Sequence, residues 1–203
     1  MEFLDQGEFM LEIFFTSKVR IKILKLFLLS TEERFHVREI TRQTEEEINA
    51  VRRELQRLYK AKLLGKEKRG NRLYYFLKPN FLFYPELHKM LIKDFGLVDE
   101  IRKKSKDLGK IKYVALTYEL FNKKDTNHKD VDILLVGDVS LELLEKVVVK
   151  YEKQMKREIN YSILSVEEFL SMSKNRSPFL INFLKQEVIV ILGDRNKFFD
   201  INP

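Results

Sequence analysis

"TEEEINAVRRELQRLYKAKLLGKEKRGNRLYYFL" (Thr44–Leu77) changes character halfway along. Its first part places Ile48, Val51, Leu55 and Leu58 three and four residues apart, the spacing of one buried face on a helix. Thr44 and Glu47 stand at capping-box spacing, so the helix is expected to open there. After Leu64 and Gly65 the helical pattern stops. Gly70-Asn71 is a two-residue turn signal between strand-like flanks rich in Tyr, Phe and Leu. A helix followed by a basic hairpin is therefore expected.

Two shorter helical patterns precede it. "TSKVRIKILKLFLLS" repeats apolar residues at Val19, Ile21, Ile23, Leu24, Leu26, Phe27 and Leu28, with Thr16 or Ser17 as N-cap. "FHVREITRQ" predicts a short helix with Val37 and Ile40 inward. Three helices and a hairpin make a winged helix-turn-helix. In this order they resemble the small bacterial and archaeal winged-helix regulators, over most of residues 15–78. The resemblance implies a third helix lying in the major groove of duplex DNA. Subtracting the buried positions leaves Asn49, Arg52, Arg53 and Gln56 outward, side chains able to pair with adenine or guanine edges. Lys68, Arg69 and Arg72 at the hairpin tip are candidates for phosphates or a minor groove, and Arg38 and Arg42 on the second helix for the DNA backbone.

Charge agrees in sign. Residues 15–78 carry 17 Lys and Arg against eight Asp and Glu, a balance of +9 within a whole-chain +7. Such a concentration attracts a polyanion. The competing use of the same residues is local. Arg52, Arg53 and Arg57 stand near Glu45, Glu46, Glu47 and Glu54, and pairs at helical spacing would leave a solvated, self-neutralised face.

At the N-terminus, residues 1–14 carry four acids and no bases. Phe3, Leu4, Phe9, Met10, Leu11, Ile13, Phe14 and Phe15 make this segment too apolar to stay bare. It suits packing on the winged helix or a homodimer surface. Without cysteine there is no disulfide and no thiolate metal site. No apolar run is long enough to span a bilayer. The start lacks the basic residues of a signal peptide. A cytoplasmic protein is expected.

Beyond Pro79 the chain reads as connector helices, with a break at Gly96, up to Gly109. Strands are then expected at Ile111–Thr117, "VDILLV", "INYSIL" and "VIVIL". Between them lie a helix capped by Ser140, a capping box at Ser165 and Glu168, and a helix opened by Pro178. This alternation predicts a small mixed sheet flanked by helices.

The segment Ile111–Leu164 resembles the minimal nucleotidyltransferase domain of the polymerase β-like superfamily. "REINYSILSVEEF" and "SPFLINFLKQEVIVILGD" resemble prokaryotic proteins that fuse it to a winged helix. The family carries a Gly-Ser turn after the first strand, an Asp-x-Asp on the second and a third acid on the third. Asp130 and Asp132 match the pair, and on a strand they would share a face and hold Mg²⁺. Tyr118-Glu119 stands where Gly-Ser belongs. Tyr118 is bulky, and Glu119 brings negative charge toward the phosphates. The third acid falls at Asn160, or at Glu158. His36, His88 and His128 have no metal-ligand spacing and read as surface or cap residues.

The whole reads as α+β: a winged helix-turn-helix over residues 1–83, then a degenerate nucleotidyltransferase-like domain over 84–203. The expected function is a DNA-binding transcriptional regulator, forming a homodimer, whose second domain serves dimerisation, a partner or a ligand. No cofactor is expected unless the second domain is active, which would require Mg²⁺. The alternatives are an active Mg²⁺-dependent nucleotidyltransferase and an antitoxin-like partner protein.

Overall fold

The computed structural model of the protein describes residues 10–94, 96–121, 130–155 and 157–200. The chain is α+β with two separate sheets, and it divides into two compact units, Met1–Asp94 and Phe95–Pro203. The division thus falls after Asp94 and not after Phe83. The reason lies in the helix Tyr84–Asp94, which packs on the helix Lys18–Leu29 and on the 3-10 turn Met10–Ile13. The Leu11 amide also donates to the buried Asp94 carboxylate (3.3 Å).

In the first unit the 3-10 turn is followed by α1 (Lys18–Leu29), β1 (Arg34–His36), α2 (Val37–Thr44), α3 (Ile48–Lys60), β2 (Leu64–Arg69), β3 (Arg72–Leu77) and α4 (Tyr84–Asp94). Ser17 caps α1, its Oγ accepting from the Arg20 amide (3.2 Å). Ile21, Ile23, Leu24, Phe27 and Leu28 of α1 are buried, as are Ile40, Val51, Leu55 and Leu58 of α2 and α3. The hairpin turns at Gly70-Asn71 as expected, with Arg69 opposite Arg72 and Gly70 at φ +56°.

Two features depart from expectation. β1 has no sequence signal, because three residues carry no readable period. It pairs with β3, placing Phe35 opposite Tyr75, and Phe35 meets Phe27 edge-on. The sheet order is therefore β1-β3-β2. Nor is Thr44 the cap of α3. It is the last residue of α2, and its buried hydroxyl donates to the Ile40 carbonyl (2.7 Å). Glu47 caps α3 instead, accepting from the Asn49 and Ala50 amides (2.8 and 2.9 Å).

The second unit runs α5 (Gly96–Lys103), α6 (Ser105–Leu108), β4 (Gly109–Thr117), a 3-10 turn Tyr118–Leu120, β5 (Ile133–Val139), α7 (Leu141–Met155), β6 (Tyr161–Leu164), α8 (Val166–Lys174), α9 (Pro178–Lys185), β7 (Val188–Leu192) and α10 (Arg195–Phe199). The sheet is mixed, in the order β6-β5-β4-β7. β5 and β6 are parallel, and the other pairs are antiparallel. Both halves of the Ser165–Glu168 capping box form at the start of α8. Tyr113, Phe169 and Phe198 stack within the core beside Leu180 and Phe183. Because β4 leaves the sheet at the end where β5 and β6 enter it, residues 118–120, 130–132 and 158–160 converge there. Among the described residues, no helix is long and apolar enough to cross a membrane.

Candidate functional site

The first candidate surface lies on the first unit. Arg38 and Arg42 on α2, Asn49, Arg52, Arg53 and Gln56 on α3, and Lys68, Arg69 and Arg72 around the hairpin tip are all exposed. The helical period that buries Val51, Leu55 and Leu58 necessarily turns Arg52, Arg53 and Gln56 outward.

Of the acids beside them, Glu46 and Glu54 pair with other cations, and Glu47 caps its own helix. Glu54 points inward and is buried. It receives Arg20 Nε (2.9 Å) and an Arg57 guanidinium nitrogen (2.7 Å), tying α3 to α1. Burial alone would push the Glu54 carboxyl up; the bonds from Arg20 and then Arg57 outweigh it, leaving it below the usual range. Glu46 pairs with Lys22 on α1 (2.7 Å). Glu47 commits its carboxylate to the start of its own helix, and the Asn49 and Ala50 amides hold its pKa down.

The competing use of the α3 arginines in ion pairs with Glu45–Glu47 and Glu54 is seen for one of the three, although Glu47 lies close enough to feel the charges of Arg52 and Arg53. Arg57 pairs, but Arg52 and Arg53 form no ion pair among the described residues. Arg52 reaches only Asn49, at 3.5 Å. Lys68 and Arg72 likewise form no ion pair among the described residues. Arg69 is committed to Glu67 and lies over Tyr74. Glu67 is shared with Arg34, which also stacks on Phe76; the sequence gives no pointer to Arg34 because β1 itself is not legible there. His36 caps α2, accepting from the Arg38 amide (3.4 Å). His88 is a correction: it is buried at 2% exposure in α4 and stacked on Tyr84. His128 lies outside the described residues.

The second candidate is the converging sheet end of the second unit. Asp130 and Asp132 do not share a strand face, since β5 begins only at Ile133. Asp130 is exposed, whereas Asp132 is buried at 3%. The main chain of Asp132 is pinned on both sides, its amide donating to Asn160 O (2.7 Å) and its carbonyl accepting from Thr117 N (2.9 Å). Its carboxylate is pinned as well. Oδ1 accepts from the Arg157 guanidinium (2.9 Å), and Oδ2 accepts from the Asn160 amide (2.9 Å).

Asn160 therefore meets Asp132 through its backbone N–H, and Glu158 is exposed. Burial pushes the Asp132 carboxyl up, and the nearby Asp130 charge adds to the rise, against the opposing pull of the Asn160 amide and of Arg157. No group of three or more His, Asp or Glu able to hold a metal occurs among the described residues. With Arg157 in place, the described residues do not fit Mg²⁺: the buried Asp132 carboxylate already serves that arginine and an amide.

The turn after β4 does not fit a triphosphate either. Tyr118 is buried, and its amide donates to Glu187 O (2.7 Å). A phosphate-seating turn needs free amides and room beside them. Glu119 Oε2 is buried without a hydrogen-bond partner among the described residues, an uncompensated cost at this corner.

Compared with protein-family models, with curated proteins and with solved structures, the chain matches none significantly.

Proposed function

We propose that the first unit is a winged helix-turn-helix that binds duplex DNA, and that the protein is a transcriptional regulator. The observation that carries this reading is the state of α3. Arg52 and Arg53 are exposed and form no ion pair among the described residues, while Glu46 and Glu54 pair with other cations and Glu47, close enough to feel both arginines, binds the amides that open its own helix. Asn49 and Gln56 extend the same exposed side. The hairpin adds Lys68 and Arg72, with Arg38 and Arg42 on α2. In this reading the third helix meets base edges and the flanking cations meet phosphates.

The second unit is, in the same proposal, a nucleotidyltransferase-like scaffold that transfers nothing and serves a homodimer, partner or ligand. Its support is the Asp132–Arg157 bond together with the buried Tyr118. It acts without Mg²⁺.

The test is equilibrium binding of the full-length protein to a labelled mixed-sequence duplex at several salt concentrations. The logarithm of affinity should fall linearly with the logarithm of salt, with a slope of about −0.9 per neutralised phosphate. Absence of binding even at low salt would overturn the proposal.

A further inference from the structure

We propose that Arg157 is the resident cation of an oxygen cage at the sheet end, standing in for the divalent ion that a working site would hold. Three oxygens meet the two terminal nitrogens of Arg157 among the bonds to described residues: Asp132 Oδ1 accepts from one at 2.9 Å, and Glu119 O and Leu120 O accept from the other at 3.3 and 3.2 Å. Its Nε also donates to Glu158 O at 3.2 Å. One carboxylate with two carbonyls is a donor set suited to a hard cation such as Mg²⁺ or Mn²⁺.

Arginine is the side chain able to fill it from within. Its planar fork serves several acceptors at once, and it cannot lose its charge by deprotonation. The carbonyls belong to the 3-10 turn after β4, and the carboxylate precedes β5. Arg157 precedes β6, so one guanidinium ties three strand ends together. The Asp132 side chain is 4% exposed and that of Arg157 21%, so the carboxylate is nearly closed to water and the guanidinium partly so. The buried Glu119 Oε2 on the same turn adds to the negative bias that a cation must answer.

This inference deepens the reading of the second unit as non-catalytic and rests on it. It implies a latent site: removing the guanidinium should create a place for a hard divalent ion.

The experiment records thermal melts of the full-length wild type, Arg157→Ala, Asp132→Asn and the Asp132→Asn/Arg157→Ala double variant. Each is measured with MnCl₂ and with NaCl at matched ionic strength. Wild type should melt at the same temperature in both. Arg157→Ala should melt lower than wild type in NaCl. It should regain roughly 5–10 °C once free Mn²⁺ exceeds its Kd about a hundredfold. The double variant should regain nothing.

A cooperative Arg157→Ala transition without a Mn²⁺ response overturns the resident-cation assignment and leaves the non-catalytic reading standing. A wild-type response that Asp132→Asn abolishes overturns both. Should Arg157→Ala fold only in MnCl₂, that is the expected behaviour in stronger form. If it stays unfolded in either salt, the cage accepts no small cation and the assignment fails.

Discussion

Arg52 and Arg53 sit one and two residues beyond Val51, and that offset settles their exposure. Their availability is a different matter, set by residues on α1. Lys22 draws Glu46 away, and Arg20 joins Arg57 on Glu54. Replacing Arg52 or Arg53 with Ala should therefore leave stability within about 0.5 kcal/mol of wild type, as for ordinary surface positions. Glu54→Ala should cost about 2–3 kcal/mol. That is below the roughly 3–5 kcal/mol typical when a buried pair is broken, because Arg20 and Arg57 are partly exposed and can rehydrate. Urea unfolding of the three variants checks both statements. A Glu54→Ala protein as stable as Arg52→Ala would remove the reason given for why α3 sits as it does. The sequence shows Glu54 as one more acid among arginines. Only the packing of α1 on α3 reveals which cations it serves.

His88 carries the pH dependence at this scale. It is buried against Tyr84, and burial lowers its pKa from 6.5 to about 4, with a hydrogen bond to the Leu28 backbone pulling the other way. As pH falls, the unfolded chain takes up the proton first. The contribution of His88 is therefore intact above pH 6.5 and is lost progressively toward pH 4. The full loss is on the order of 3 kcal/mol. Across this range the urea midpoint of wild type should fall relative to that of His88→Leu as the pH drops. Parallel curves would mean that His88 does not titrate as described.

Among the elements, the hairpin is the most legible and the most readily tested. Gly70-Asn71 marks its turn, and the aromatic flank marks β3. What periodicity conceals is the pairing of Gly65 with Phe76, whose ring lies where any Cβ at position 65 would go. Gly65→Val should displace that ring and destabilise the sheet, while hairpin-tip substitutions should leave it intact. Lys68→Ala/Arg69→Ala/Arg72→Ala should reduce the salt slope of DNA binding, by about 0.9 for each phosphate no longer neutralised. Because Arg69 is held by Glu67, the reduction should correspond more nearly to the two cations Lys68 and Arg72 than to all three. An unchanged slope would exclude the hairpin from the phosphates.

The turn after β4 shows the limit of such reading. Tyr118-Glu119 is visibly wrong for phosphate binding. That Arg157 fills the corner is invisible, since a lone basic residue before a strand gives no direction. The placement of Asp130 and Asp132 escapes the sequence for a related reason. Two acids two residues apart suggest a shared face, but β5 starts at Ile133, so Asp130 lies outside the strand that would impose it.

At the scale of the whole molecule, both units are folded around cores of their own, and in each the charged residues decide the chemistry more than the topology does. In the first, Arg52 and Arg53 stand open on the surface; in the second, Asp132 is held inside by Arg157. The open charge on α3 is best probed by selection from a pool of random duplexes. Full-length wild type and an Arg52→Ala/Arg53→Ala variant of matched stability would be compared, each then titrated with the enriched sequence and with random duplex. Wild type should enrich a defined sequence. The variant should bind that sequence more weakly, by roughly 1–3 kcal/mol for each arginine that reads a base, with a much smaller change on random DNA. Enrichment of the same sequence by both proteins, or equal weakening on both duplexes, would contradict base reading by Arg52 and Arg53.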